Sequence, residues 1–277
     1  MIEIKNLDFG YRKGQMVFNN ISLKFEAGNI YGLLGENGVG KTTMLKIISG
    51  LQKPVKGSCV VDEFTSFDRQ PRFLQDICFM PDEITVPDLT TPMKYIKSIS
   101  GFYPKYSEGV LMDLMHEFEV DPMKKFKEMS YGQQKKAMIA CSLSLGTRYL
   151  LLDEPTNGLD IPSKAQFRKI LSSRVDDETT IIISTHQVRD VENLIDPIII
   201  LSQDDVLLNA SIEEITKKLY FEYGVPMRKD ALYSEARPDG CMNVVYNTTG
   251  EESQVNIEAL FNAVLQNKGV IKELFNK

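Results

Sequence analysis

The sequence predicts an α/β fold with a parallel or mixed central sheet, and three observations predict it. First, Asn29-Ile30-Tyr31-Gly32-Leu33-Leu34, Tyr149-Leu150-Leu151-Leu152, Ile181-Ile182-Ile183 and Pro197–Leu201 are short, almost uninterrupted apolar runs, the pattern of strands buried on both faces. Second, the first run passes into the glycine-rich stretch Gly35-Glu36-Asn37-Gly38-Val39-Gly40-Lys41-Thr42-Thr43 and then into Met44-Leu45-Lys46-Ile47-Ile48, which carries an apolar helical face ending at Gly50. Third, long stretches of helical spacing separate the strand-like runs, as crossover connections between parallel strands require.

Residues Gly35–Thr43 fit G-x-x-x-x-G-K-[ST], a loop that cradles phosphates. Gly35, Gly38 and Gly40 allow the backbone to turn successive N–H groups of Asn37, Gly38, Val39 and Gly40 toward an anion, and the helix beginning near Gly40 aims its positive dipole end at the same point. Lys41 then reaches the β- and γ-phosphates, the Thr42 hydroxyl ligates Mg²⁺, and Thr43 continues the cradle. The core is therefore expected to be that of a P-loop NTPase, with ATP and Mg²⁺ as its ligands.

The strand Tyr149–Leu152 ends in Asp153 and Glu154. A parallel strand delivers acids at its carboxyl end, where Asp153 would hold Mg²⁺ through water and Glu154 would polarise the attacking water. Two acids are equally what an ordinary polar strand terminus looks like. Between the two clusters, Met129-Ser130-Tyr131-Gly132-Gln133-Gln134 opens a helix expected over Lys135–Leu145, and its small hydroxyl-bearing start is a second candidate phosphate site. The run Ile181–Ser184 leads through Thr185 into His186, one of two histidines in the chain.

Composition narrows the class. The 277 residues suit one α/β domain with an appendage. A net charge of -6 argues against nucleic acid as the main partner. No stretch approaches the roughly 18 apolar residues of a membrane span, and Met1-Ile2-Glu3-Ile4-Lys5 lacks the apolar core of a signal peptide, so a cytoplasmic location is expected. Cys59, Cys78, Cys141 and Cys241 lack C-x-x-C spacing, which suits reduced thiols rather than zinc.

These residues, in this order, resemble the nucleotide-binding subunit of an ABC transporter over about residues 1–215. The resemblance makes Gly35–Thr43 the Walker A loop, Met129–Gln133 the signature motif, Tyr149–Glu154 the Walker B strand, Asn157-Gly158-Leu159-Asp160 the D-loop and His186 the switch histidine. It places Tyr11 where the family stacks an aromatic ring on adenine; a packed strand-end tyrosine is the alternative. It implies catalytic roles for Lys41, Glu154 and His186. In a head-to-tail pair of ATPase subunits, each ATP would lie between the Walker A loop of one chain and Ser130, Gly132 and Gln133 of the other. The partner would be a separately encoded membrane permease, which would hold the subunit at the inner face of the cell membrane. A regulatory ATP-binding module with weak hydrolysis and a non-transport ABC ATPase are the alternatives; the latter usually carries two cassettes or a long coiled coil.

Two positions depart from the pattern. Tyr131 stands where the signature motif has its first glycine, and Asp82, after Ile77-Cys78-Phe79-Met80-Pro81, stands where the Q-loop has glutamine. A carboxylate there would still suit Mg²⁺, so Asp82 joins Thr42 and Asp153 as a candidate metal ligand, a solvated acid in a Pro-Asp turn being the other reading.

The expected organisation is an ATPase domain over residues 1–218, with an antiparallel β-subdomain near its start and a helical subdomain over about 84–148. A small α+β extension follows over 219–277. In the extension, strand-like runs flank Arg237-Pro238-Asp239-Gly240, a hairpin signal, and Val255–Leu265 carries a helical apolar stripe. Similar extensions occur in subunits that drive ABC-2 type exporters. Fifty-odd residues are too few to build much of a core alone, so the extension is expected to pack on the main domain or on a second subunit.

Overall fold

The computed structural model describes residues 1–12, 14–203 and 205–275; the last two residues of the 219–277 extension lie outside it. Strands β1 (Ile2–Arg12) and β2 (Gln15–Phe25) form a long antiparallel ribbon. After β3 (Ile30–Gly35) and helix α1 (Lys41–Ile48), β4 (Lys56–Val61) and the short β5 (Phe64–Thr65) complete an antiparallel sheet of order β2-β1-β4-β5. The short helix α2 (Pro71–Gln75) then leads into β6 (Ile77–Met80).

Three helices follow: α3 (Pro92–Ile99), α4 (Glu108–Glu117) and α5 (Tyr131–Ser144). The last begins four residues earlier than the apolar spacing suggests, because Ser130 and Gln133 close a capping box in which each side chain accepts the other's backbone N–H. Strand β7 (Tyr149–Asp153), helix α6 (Ile161–Ser172), β8 (Thr180–Thr185), β9 (Ile198–Ser202) and β10 (Asp205–Ala210) finish the second sheet. Its order is β10-β9-β3-β8-β7-β6, parallel from β6 to β9 with β10 antiparallel at the edge.

Period-two alternation splits the side chains of this sheet between two cores. Leu150 and Leu152, Ile181 and Ile183, and Ile198 and Ile200 face one cluster, which extends into α4 and α5. Tyr149 and Leu151, Ile182, and Ile199 and Leu201 face the other, where Met44, Leu45, Ile47 and Ile48 of α1 pack with the first sheet. The parity that sends Tyr149 and Leu151 toward α1 also sends Asp153 there.

Helix α7 (Ile212–Lys218), opened by a Ser211/Glu214 capping box, leads to the third sheet, β11-β13-β12, formed by β11 (Leu219–Val225), β12 (Tyr233–Arg237) and β13 (Gly240–Tyr246). The hairpin register pairs Arg237 with Gly240 around Pro238-Asp239, as the turn signal requires. Helices α8 (Ile257–Gln266) and α9 (Lys268–Phe275) close the described chain. Leu219, Phe221, Met242, Val244, Leu260 and Val264 belong to the same buried cluster as Leu150 and Ile183. The extension therefore packs on the main domain, with α8 against residues 188–190 and α9 against β10. Strands β5, β6, β10 and β11 and helices α2, α6, α7 and α9 were not anticipated from the sequence.

Among the described residues no helix is long and apolar enough to cross a membrane.

Candidate functional site

Strand β3 ends at Gly35, and the loop that follows is shaped by two glycines with left-handed φ, +85° at Gly38 and +106° at Gly40. At Gly40 the requirement is double: a Cβ would also lie 2.7 Å from the Phe18 ring, so any side chain costs both strain and overlap. The loop closes on itself through Val39, which is buried, its methyl packed beside Gly35. Asn37 and Gly38 form the exposed tip, and Gly40 precedes the first turn of α1.

Lys41 is the first residue of α1 and is 7% exposed. Its ammonium donates to the carbonyls of Gly35 (2.8 Å) and Glu36 (3.1 Å) and stands 4.0 Å from the Glu154 carboxylate. Burial lowers its pKa from the ordinary lysine value, with the charges of Glu154 and Asp153 opposing. A cation so placed favours the approach of an anion such as phosphate.

One residue on, the Thr42 hydroxyl donates to Asp153 Oδ2 at 2.7 Å. The other Asp153 oxygen accepts from the Ser184 hydroxyl, and the register that pairs Asp153 with Ser184 on adjacent parallel strands explains why. Glu154 follows with φ +44°, outside the ordinary range for a side-chain-bearing residue. Its N–H donates to the Ser184 carbonyl (3.0 Å), so the chain turns while tethered to β8. Its carboxylate accepts from the Thr185 hydroxyl (3.1 Å) and meets His186 Nδ1 at 2.8 Å. A carboxylate beside the lysine, held by a hydroxyl and an imidazole at the mouth of an anion-binding loop, is arranged to accept a proton from a water near a phosphate.

Among the described residues no three His, Cys, Asp or Glu side chains gather as a metal cage. Thr42 and Asp153, two hard oxygens 2.7 Å apart beside the loop, match what Mg²⁺ takes from a protein when phosphate and water supply the remaining ligands. Tyr11 is 56% exposed, its ring edge-on to Phe9 and its hydroxyl 2.9 Å from that of Thr43, which brings an aromatic face to the start of α1.

Asp82 has partners that the sequence did not suggest. Its carboxylate accepts from Lys135 Nζ (2.9 Å) and, at longer range, from Asn157 Nδ2 (3.4 and 3.5 Å). The reason is that Lys135 is wholly buried on α5, and a buried ammonium holds the nearest carboxylate. Ser130 and Gln133 bond to each other and Gly132 borders the turn at Gly158; among the described residues the three make no hydrogen bond to residues 35–43. Sequence reasoning missed Ser184, Thr185 and Lys135, and it placed Asn157 in the D-loop without its contact to Asp82. The first two carried a signal, since strand parity from His186 puts hydroxyls beside both acids.

Comparison with known proteins agrees with this geometry. The chain is 29% identical over 219 residues to the ABC transporter ATP-binding protein YtrB of Bacillus subtilis, covering 79% of this chain and 74% of that one. It is 31% identical over 215 residues to the lantibiotic transport ATP-binding protein SrtF of Streptococcus pyogenes, covering 77% and 92%. Among solved structures, an ATP-binding subunit of an ABC transporter superposes with a TM-score of 0.70 at 24% identity, over 78% of this chain and 91% of that one. A dimeric ATP-binding cassette in a post-hydrolysis state with ADP and Pi superposes at 0.68, also at 24% identity, over 76% and 98%; both likenesses show the fold. Residues 18–157 match the ABC transporter family. The chain belongs to that family, among whose members it is similar to the ATP-binding proteins.

Proposed function

We propose that this chain binds ATP with Mg²⁺ and hydrolyses it as one half of a head-to-tail dimer, and that the cycle drives a separately encoded membrane permease. The observation that carries the reading is Glu154, turned out of β7 by its left-handed backbone and held between Thr185 and His186 beside Lys41. In this reading Gly38–Thr43 and Lys41 bind the phosphates, and Tyr11 faces the base. Glu154 takes the proton of the water that attacks the γ-phosphorus, His186 orients that carboxylate, and Lys41 meets the charge that builds on the phosphoryl oxygens. Thr42 and Asp153 would hold Mg²⁺, which would supply positive charge against the phosphates.

The dimer is supported by Ser130, Gly132 and Gln133, which among the described residues have no hydrogen bond to this chain's own phosphate loop, and by the cassette of the same fold that is a dimer with ADP and Pi. The permease has a candidate seat. A groove of about 550 Å³ runs between the core and the helical segment, lined by Leu51, Arg69, Leu74, Phe79, Tyr95 and Phe102, and two of these, Leu51 and Phe102, are exposed large apolar residues. Named relatives act in lantibiotic and energy-coupling factor transport, and the transported substrate is set by the permease. The ATPase domain would be residues 1–218 and the extension 219–277.

Glu154→Gln is expected to keep ATP affinity, lose turnover and accumulate an ATP-bound dimer, whereas Lys41→Ala loses affinity. Nucleotide titration and size-exclusion chromatography of both variants separate the two roles. Equal loss of affinity in both removes Glu154 as the base.

A further inference from the structure

Three segments far apart in sequence meet at Asp82. The turn after β6 brings its carbonyl and its carboxylate to one buried cation: Lys135 Nζ donates to Asp82 O at 2.8 Å and to Oδ1 at 2.9 Å. Lys135 is 0% exposed, so it has no water to fall back on, and these are its hydrogen bonds among the described residues. Asn157, in the turn after β7, reaches the same carboxylate. Tyr131, at the start of α5, closes the cluster: its hydroxyl donates to Asp82 O at 3.3 Å, and its ring lies 5.9 Å from Lys135 Nζ. The ring also covers Gly158 so closely that a Cβ there would sit 2.4 Å from Cδ1, at a residue whose φ of +78° already calls for glycine. The tyrosine that replaces a glycine at this point thus fills the space between the start of α5 and the turn after β7.

We infer that Lys135 is a positioning residue, which through Asp82 and with Tyr131 joins the turn after β6, the start of α5 and the turn at 157–158 into one rigid body. Asp82 serves this joint and not the metal. The inference deepens the hydrolytic reading above and rests on it for its kinetic arm. The acids that catalyse and the residues 130–133 that face a second subunit flank the joint, so its stiffness sets how residues 130–133 and 157–160 approach ATP together, without Lys135 touching the nucleotide.

The test uses the full chain as Lys135→Met, Lys135→Arg, Asp82→Asn and the double variant Asp82→Asn with Lys135→Met. Without nucleotide, backbone hydrogen exchange is expected to rise about tenfold in Lys135→Met both at residues 82–85 and at 156–159, and to return toward wild type in Lys135→Arg. With ATP, kcat falls in Lys135→Met while KM changes less than about twofold, and the double variant loses no more than the worse single variant, as expected for residues acting as a unit. The Mg²⁺ concentration for half-maximal rate changes less than about twofold in Asp82→Asn. A shift of about tenfold there returns Asp82 to the metal and overturns the inference. Exchange that rises at only one of the two segments, or additive kinetic losses, also overturns it. A wild-type chain that does not hydrolyse ATP overturns the functional reading alone, since the exchange measurement still decides the joint.

Discussion

Asp153 and Ser184 face each other across the parallel register of β7 and β8, and the serine hydroxyl holds the carboxylate oxygen that Thr42 leaves free. The acid is thus fixed from two strands and a helix at once. Neither partner is acidic, so its negative charge stays available to a cation.

Ser184→Ala is expected to release that oxygen. Hydrogen bonds to charged groups contribute about 1.5–3 kcal/mol, so the variant should show a lower midpoint of denaturation and a several-fold higher Mg²⁺ requirement for turnover. Ser184→Thr keeps the hydroxyl and should lie between the two. Urea unfolding and a rate titration against free Mg²⁺ check both, and an unchanged Mg²⁺ requirement in Ser184→Ala shows that the bond does not tune the metal.

Gly40→Ala should abolish nucleotide binding and lower stability by about 1–3 kcal/mol, from left-handed strain with overlap on Phe18 added. Gly38→Ala has equal strain at φ +85° but open space around it, so it should be the milder change. Calorimetry with and without ATP ranks the two, and equal losses remove Phe18 contact as the cause.

The thiols carry a pH prediction. Burial pushes Cys59 and Cys78 up to about 11 and Cys141 up to about 12, from an ordinary value of 9.0. A thiol raised on folding contributes stability that is complete below pH 9.0 and lost as pH climbs toward the folded value. Unfolding midpoints should therefore fall from about pH 9 upward, less steeply in Cys141→Ala compared with its own neutral value. At pH 8 a thiol reagent should label Cys241, the partly exposed one, and leave the other three until the protein unfolds. Rapid labelling of more than one thiol in the native protein contradicts this.

Two contacts of α8 should differ in weight. Arg189 and Glu258 form an exposed pair on the seam between the extension and residues 188–190, and solvent screens pairs of that kind so that they contribute little. Leu260 is fully buried in the shared core, where truncation to alanine costs about 2–5 kcal/mol. Glu258→Ala and Leu260→Ala, compared by denaturant unfolding, should differ accordingly; equal effects mean that the seam is held by charge.

Much of the site was legible because it is written in strand parity. Once Tyr149–Leu152 is a strand, Asp153 must face the side on which α1 presents Thr42, and the loop glycines announce their own backbone angles. What was illegible depends on contacts between segments with no shared period. Nothing local in Pro81-Asp82-Glu83 signals that a lysine 53 residues on will be buried beside it, so the Lys135 contact of Asp82 was not foreseen. Strand β11 escaped for a similar reason: Leu219-Tyr220-Phe221-Glu222 alternates weakly, and its partner β13 begins only after the intervening hairpin strand. The box that starts α5 at Tyr131 was visible in Ser130 and Gln133, yet the helix was expected only from Lys135.

The buried cluster that runs unbroken from β7 and β8 into β11, β13 and α8 bears on how such a protein can be rebuilt. A unit cut off at residue 218 would bare apolar side chains of the cluster that the extension now shares, around residues 188–190 and β10, and would tend to aggregate. Grafting a foreign tail onto it would fail unless the tail carried a matching apolar face. The extension is thus spliced into the rest of the chain rather than tethered to it, and chimaeras should be joined within the strands of a common core, not between α7 and β11.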